Sequence, residues 1–488
     1  MTEYYLAFDL GAESGRAILG RLDDTGCLQL HRLYRFPNRM INILGNLHWD
    51  VLGLYTEMLQ GMRICAKSYT SSPKSIGVDT WGTDFGLFDS RGVLIGAPFA
   101  YRDRRTQGAR EEFFLKIPRE RLYQLTGIQF LSANTVFQLY SMVRDRSLQL
   151  EIASSLLFMP DIFNYFFTAN KKTEFTFATT SQLYNPRTGC WESEIFKQLT
   201  VPESIMQEIV QPGTIIGELT EDVSAQTGLK GIPVIAVASH DTGSAVTAVP
   251  ALDKNYAYIS SGTWSLMGIE SQLPIIDEKY NFTNEGGVCG TFRVLKNITG
   301  LWLLHQCRKE WVGTREYSYA ELIKMAENAN PFISIIDPDR PEFSHPADML
   351  QAIKEFCRRA NQPVPQDIGQ FVRTILESLA LAYHYTLGKL QEISGRDIEQ
   401  IHIVGGGAQN NLLCQFTADA TGLPVYAGPV EATAIGNILV QAMAFGRISS
   451  LEELRETVRR SFGLKRYEPQ HVSDWDGAYE RFLKLKQM

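Results

Sequence analysis

The chain has 488 residues, with 47 Lys or Arg against 54 Asp or Glu and a net charge of −7. This length supports two or three domains with full cores, and the mildly acidic balance gives no global reason to expect a nucleic acid or an anionic membrane as partner. No run of about eighteen apolar residues occurs, Met1-Thr-Glu-Tyr-Tyr5 lacks the marks of a secretory signal, and the seven cysteines include no C-x-x-C pair, so the expectation is a cytoplasmic chain without membrane span, disulfide framework or zinc knuckle.

The first element is an apolar strand over 4–8 that reaches Asp9, turns through Gly11-Ala-Glu-Ser-Gly15 and resumes as a strand over 17–22. Such a turn offers backbone N–H groups, a hydroxyl and Arg16 to polyphosphate, while Asp9 can hold the accompanying Mg²⁺ through water. A P-loop needs Gly-Lys-Ser/Thr before a helix, and a dinucleotide fold needs its third glycine to open one, so the strand that follows argues against both. A plain hairpin with a glycine turn meets most of the same pattern.

A strand at 28–36, a helix near 51–66 and a strand at 75–79 complete a β-β-β-α-β order, followed by another strand at 84–88. The order recurs after residue 255, with strands at 257–261 and 266–270, a long helix near 367–394 and a strand at 402–404, which suggests an internal repeat. Residues 100–230 carry aromatic and charged residues without a clear period and read as an insertion on the first half; 337–346 reads as a proline-rich loop. The boundary falls near 249–254, where Pro250 and polar residues interrupt the pattern. The expected domains are 1–250 and 251–488, two α/β halves with a small-ligand cleft between them.

Four further segments carry chemistry. Tyr256-Ala-Tyr-Ile-Ser-Ser-Gly-Thr-Trp-Ser-Leu-Met-Gly268 repeats the strand, small-residue turn and strand of the first hairpin, placing Ser260, Ser261, Gly262 and Thr263 where phosphate could sit. Ile401-His-Ile-Val-Gly-Gly-Gly-Ala-Gln-Asn410 reads as a buried strand, three glycines and a helix opening near 410–411, where bare backbone admits the flat ring and ribose of adenosine; a tight strand-to-helix turn explains the same glycines. Ser239-His-Asp-Thr-Gly243 puts Asp241 at or beside the N-terminus of a helix over 244–249, where the dipole favours a carboxylate able to accept a hydroxyl proton, or where Asp241 or Ser239 simply caps the helix. Gly77-Val-Asp-Thr-Trp-Gly-Thr-Asp84 with Tyr101-Arg-Asp-Arg-Arg105 combines Trp81, Asp84 and Arg102 into a polyol grip, or into a core Trp beside a surface ion-pair cluster.

Together with Thr283-Asn-Glu-Gly-Gly287, Lys296-Asn-Ile-Thr-Gly-Leu-Trp-Leu-Leu304 and Val404-Gly-Gly-Gly407, these motifs resemble the FGGY carbohydrate kinases, members of the sugar kinase, actin and Hsp70 ATPase superfamily. The resemblance spans 6 to about 440 and is closest to those members that phosphorylate L-rhamnulose at its C1 hydroxyl. It implies an α/β fold of two ribonuclease H-like repeats with an interdomain cleft, the first domain holding the sugar and phosphate hairpin 1, the second phosphate hairpin 2 and the adenosine site. It further implies ATP and Mg²⁺ as cofactors, with Ala12, Glu13, Ser14, Gly15, Arg16, Thr263, Asn297, His305, Gly405, Gly406 and Gly407 at the nucleotide. Gly82, His240, Asp241 and Thr242 would contact the sugar, and Asp241 would be the proton acceptor. Two departures are visible: Glu13 stands where a small residue is usual, and His305 where Gln is usual. The competing expectations are a kinase for L-fuculose, L-xylulose, L-ribulose or glycerol, and a sugar-independent ATPase switch; an apolar wall for a 6-deoxy sugar is expected from Trp81, Phe85 or Phe130.

Overall fold

Strand β1 (Glu3–Leu10) is buried from Tyr5 to Leu10, as expected for a central strand of a sheet covered on both faces. The computed structural model describes residues 2–69, 71–312, 315–344 and 346–488. In it β1 pairs antiparallel with β2 (Ser14–Leu22), which pairs antiparallel with β3 (Leu28–Pro37). On its other edge β1 runs parallel to β4 (Ile76–Thr80). A strand β5 (Thr214–Glu218) lies antiparallel to β6 (Pro233–Ala236), and β6 lies parallel to β4, giving the order β5-β6-β4-β1-β2-β3.

The helix Val51–Ser68 starts where the Asp50 side chain accepts from Gly53 N, and it buries Leu54, Met58, Met62 and Cys65 in the core formed with Leu6, Phe8, Ala17 and Leu19. Polar fasteners secure the helix Ala432–Ala444 to the same sheet. Gln441 donates to Leu6 O and accepts from Ser75 Oγ, and Asn437 donates to Asp79. Buried amides of this kind fix register because each is costly to leave unpaired. Gly436 lets this helix meet the helix Asp241–Thr247, since an added Cβ would lie 1.9 Å from Ser244 O.

A second sheet begins with β7 (Tyr256–Ser261), antiparallel to β8 (Trp264–Ser271). A strand β9 (Phe292–Thr299) stands beside β8. On its other edge β7 is parallel to β10 (Gln400–Val404), which is parallel to β11 (Val425–Ala427), and β12 (Lys465–Tyr467) closes the sheet antiparallel. The series β3-β2-β1-β4-β6 thus has the same order as β9-β8-β7-β10-β11, and the strands from β2 to β6 run in the same relative directions as those from β8 to β11, the repeat expected from the sequence. The long helix runs Ile368–Ser394, between the Asp367 cap and Gly395 at φ 64°.

The chain divides into two compact units. The first comprises residues 1–250, 270–294 and 432–461; the second comprises 251–269, 295–431 and 462–488. The first unit therefore gathers two segments that a single cut after residue 250 leaves out. Residues 100–230 belong to it and form several short helices around a core of their own, built on Phe113, Leu122, Phe137, Phe158 and Phe177. In the 337–346 loop, Asp337 and Asp339 pair with Lys486, while His345 lies outside the described residues.

Gly436→Ala is expected to destabilise the fold by ~1–3 kcal/mol, the usual range for overpacking. Denaturant unfolding measures this, and unchanged stability would show that the two helices are free to separate.

Candidate active site

Three carboxylates converge at the carboxyl ends of neighbouring parallel strands, where open α/β sheets bind ligands. Asp9 on β1 is the register partner of Asp79 on β4. Thr80 N donates to Ser239 O at 2.9 Å and Thr80 bridges in parallel to His240, so the turn after β6 delivers Asp241 beside them. The helix expected over 244–249 in fact begins at Asp241. His240 is the cap residue, its carbonyl accepting from Ser244 N at 3.1 Å, and in this first turn Asp241 Oδ1 accepts from Thr242 N at 2.6 Å and from Thr242 Oγ1 at 3.2 Å. Its Oδ2 has no protein hydrogen bond among the described residues, and the side chain is 32 % exposed. Asp241 therefore presents one anchored oxygen and one accessible oxygen.

The two other acids are buried. Asp9 Oδ2 accepts from Arg16 Nη2 at 2.6 Å, a cross-strand pair set by the Asp9–Arg16 register. Asp79 Oδ2 accepts from Asn437 Nδ2 at 2.6 Å, but its Oδ1 is buried without a partner. Burial, followed by the charges of Asp9 and Asp241, raises the Asp79 pKa well above the carboxylate range. A buried oxygen of this kind beside a second carboxylate favours a bound cation.

The hairpin turn between β1 and β2 is closed by Gly11 N donating to Ser14 O, and Asn38 braces it by donating to Gly11 O and Glu13 O. Gly15 has no alternative, because a Cβ would meet the Phe36 ring at 2.3 Å. The Glu13 side chain is exposed, and Ala12 and Ser14 are partly exposed. In the second unit the β7–β8 turn is held by Gly262 O and Thr263 O, which accept from Leu301 N and Trp302 N. Asn297 is partly buried on β9, and His305 sits 5.7 Å from the Tyr319 ring. Gly407 is forced by Ser261, whose Oγ would lie 2.0 Å from an added Cβ, whereas Gly406 faces open space. The helix after the glycines opens at Asn411 with Asn410 as its cap.

The sugar candidates cluster in the first unit. Gly82 lies against His240, whose Nε2 would be 3.0 Å from a Cβ at that position. Thr83, next to it, adopts φ 72°, a conformation that non-glycine residues hold only when their surroundings impose it. Trp81 stacks obliquely on Trp49, with ring centroids 4.1 Å apart. Asp84 is fully buried, and its carboxylate is occupied: Oδ2 accepts from Trp49 Nε1, Trp81 Nε1 and Tyr101 N, and Oδ1 accepts from Gln138 Nε2. Burial, opposed by these hydrogen bonds, leaves its pKa at about 6. Asp84 thus holds Trp81 and the 101 backbone in place and has little acceptor capacity left for a ligand. Arg102 Nε donates to Tyr101 Oη. Phe85 and Phe130 are buried in the 100–230 core.

Three participants were not recognised from the sequence. Glu174 caps the helix Phe175–Thr180 by accepting from Thr176 N and Phe177 N, and it also accepts from Ser239 N; Thr176 Oγ1 in turn accepts from His240 N. Burial pushes its pKa to about 7 against those hydrogen bonds. Glu285 and Arg293 form a buried pair 3.1 Å apart behind His240. Burial raises the Glu285 pKa, but the Arg293 guanidinium beside it holds the acid below its ordinary range. The signals in the sequence were Glu285 within the motif Thr283-Asn-Glu-Gly-Gly287 and an arginine within the apolar run Phe292-Arg-Val-Leu295, since a charge on a buried strand needs a partner.

The sequence matches the N-terminal domain of the FGGY family of carbohydrate kinases over residues 4–248 and the C-terminal domain over 257–445. The chain belongs to this family. It is 50 % identical over 99 % of both chains to a protein of Bacteroides thetaiotaomicron named rhamnulokinase. Proteins of the same name from Pectobacterium atrosepticum and Bacillus subtilis are 42 % and 36 % identical, covering 99 % and 96 % of this chain and 96 % of each of theirs. The fold is that of a xylulose kinase from Lactobacillus acidophilus, with TM-score 0.85 over 99 % of this chain and 98 % of the other at 13 % identity.

Asp84→Asn would turn an amide N–H toward donors, and a loss of ~1–3 kcal/mol is expected at neutral pH. A raised folded pKa makes the contribution of the native acid fullest below its unfolded value, near pH 4, and diminishes it as pH climbs through about 6. The stability gap between native chain and variant should therefore narrow between those limits. A gap that widens with pH would overturn the assignment.

Proposed function

We propose that the chain transfers the γ-phosphoryl group of ATP to the C1 hydroxyl of L-rhamnulose, giving L-rhamnulose 1-phosphate. The specific substrate is supported by the near-full-length similarity to proteins named rhamnulokinase. The chemistry is supported by Asp241, the acid of the three that keeps an accessible, unshared oxygen at a helix N-terminus. Dependence on ATP suggests the cytoplasm as its compartment; no helix among the described residues is long and apolar enough to cross a membrane.

Asp241 Oδ2 takes the proton of the sugar hydroxyl as that oxygen attacks phosphorus, while Thr242 steadies Oδ1. General-base assistance of this type contributes ~10²–10⁴ in rate. Gly82, His240, Thr242 and Arg102 are the polar neighbours of the sugar, while Trp81, held by Asp84 and packed on Trp49 in the core, backs the site with only an edge exposed. In the first unit the Ala12–Ser14 turn, Gly15 and Arg16 cradle phosphate oxygens. In the second unit Thr263, Asn297 and His305 contact nucleotide, and Gly405 to Gly407 admit adenosine. Asp9 and the unpartnered Oδ1 of Asp79 are the residues that would hold Mg²⁺, which when bound offsets negative charge on the transferred group. A metal that retains waters and phosphate ligands needs only one or two protein carboxylates, so this donor set fits.

Asp241→Asn should lower kcat by ~10²–10⁴ while sugar still binds, measured by coupled ADP release and by calorimetric titration of sugar; near-native turnover would remove Asp241 from the role of base. The same ADP assay over L-rhamnulose, L-fuculose, L-xylulose, L-ribulose and glycerol, with a no-sugar control, should favour L-rhamnulose. Preference for another acceptor would overturn the substrate, and equal hydrolysis without sugar would favour an ATPase switch.

A further inference from the structure

His240 has two ring nitrogens in different surroundings. Nδ1 points into the protein, 3.3 Å from Arg293 Nη2 and 3.1 Å from Glu285 Oε2. Nε2 points to the open side, toward Gly82 and 3.5 Å from Asp241 Oδ1. Arg293 is 1 % exposed, and its Nε donates to Gly286 O at 2.8 Å, which fixes the guanidinium plane. The strand Thr283–Gly286 that carries Glu285 is pinned in turn by Gly286 N donating to Thr179 Oγ1. The other neighbours of the ring are Phe177, edge-on at 6.2 Å, and Thr176, which binds the His240 backbone.

Of the two contacts at Nδ1, the one from Arg293 has hydrogen-bond geometry, whereas Glu285 Oε2 lies near it without an aligned hydrogen bond and is held in place by Arg293. Arginine is always charged and only donates. A nitrogen that accepts from it carries a lone pair, so the ring proton must reside on the other nitrogen.

We infer that the buried Arg293–Glu285 pair locks His240 as the neutral Nε2–H tautomer, making it a fixed hydrogen-bond donor to a sugar oxygen beside Asp241. Glu285 supplies the charge that lets Arg293 remain buried. Arg293 blocks protonation at Nδ1, so His240 cannot act as a second base and the hydroxyl proton goes to Asp241. Both are positioning residues, acting through His240. The inference rests on the proposed sugar contact of His240 for its consequence, but not for the tautomer itself.

Imidazole ¹⁵N–¹H correlation spectra of the ¹⁵N-His-labelled full-length protein, with the His240 signals assigned through His240→Ala, test the tautomer directly. The expected result at neutral pH and above is an unprotonated Nδ1 and a protonated Nε2. An Nδ1–H or doubly protonated ring would overturn the inference, whether or not any variant folds. Arg293→Met combined with Glu285→Gln avoids an uncompensated buried charge, and it should release the tautomer and raise KM for sugar about tenfold, the equivalent of one hydrogen bond. KM for ATP should stay close to its native value. In a folded double variant, an unchanged tautomer would overturn the lock. If His240→Ala leaves sugar KM unchanged, the sugar contact fails and with it the donor role, while the tautomer measurement still decides the lock.

Discussion

The end of the first unit's main sheet is arranged around negative charge that water would otherwise solvate. Parallel β1 and β4 and the turn after β6 bring Asp9, Asp79 and Asp241 to one end of the sheet. Burying one unpaired carboxylate is already costly, and neighbouring like charges add to that cost. The structure answers each acid differently. Arg16 neutralises Asp9 across the hairpin, Asn437 supplies a single hydrogen bond to Asp79, and the first turn of a helix receives Asp241. Asn437 arrives on a helix from residues 432–461, which explains physically why that segment belongs with the first unit although it follows most of the second in sequence.

The main sheets were legible because their signals are short-range and redundant. Buried strands read as apolar runs, tight glycine turns separate them, and the same order of elements occurs twice. The region 100–230 was not legible in this way. Its core packs Phe113, Phe137 and Phe158 from short helices and a two-strand pair, too brief for any period to emerge. The affiliation of 270–294 and 432–461 depends on contacts distant in sequence, Asp79 with Asn437 and His240 with Glu285, that no local pattern announces.

At the candidate site, the motifs point to residues whose chemistry is exposed in the chain's own pattern: Asp9 before a glycine turn, Asp241 before a helix, three glycines after a strand. Supporting residues were harder. Asp84 reads as a ligand because it ends a motif with Trp81 and Gly82, yet three N–H donors on one oxygen and an amide on the other give it a structural task. Glu174 lies in no motif of the sequence, yet it ties a helix start to Ser239 N. In both cases the side chain works by accepting backbone or indole N–H groups from segments far away in sequence.

The division of labour among these acids follows from surroundings, since their intrinsic chemistry is the same. A buried carboxyl with a raised pKa binds its proton too readily to stay ionised without a cation, which suits Asp79 to a place beside a metal. An acid saturated with hydrogen-bond donors, such as Asp84, has its lone pairs committed and serves as scaffold. Asp241 avoids both conditions: its anchored oxygen sets direction, and its second oxygen remains accessible. Placing His240 beside it could blur that role, because imidazole is itself a base near neutral pH. An arginine at Nδ1 removes that competition by leaving the ring only a proton to give. In the proposed mechanism acceptor and donor then stand side by side on consecutive residues, and a sugar hydroxyl between them would have one direction in which to lose its proton.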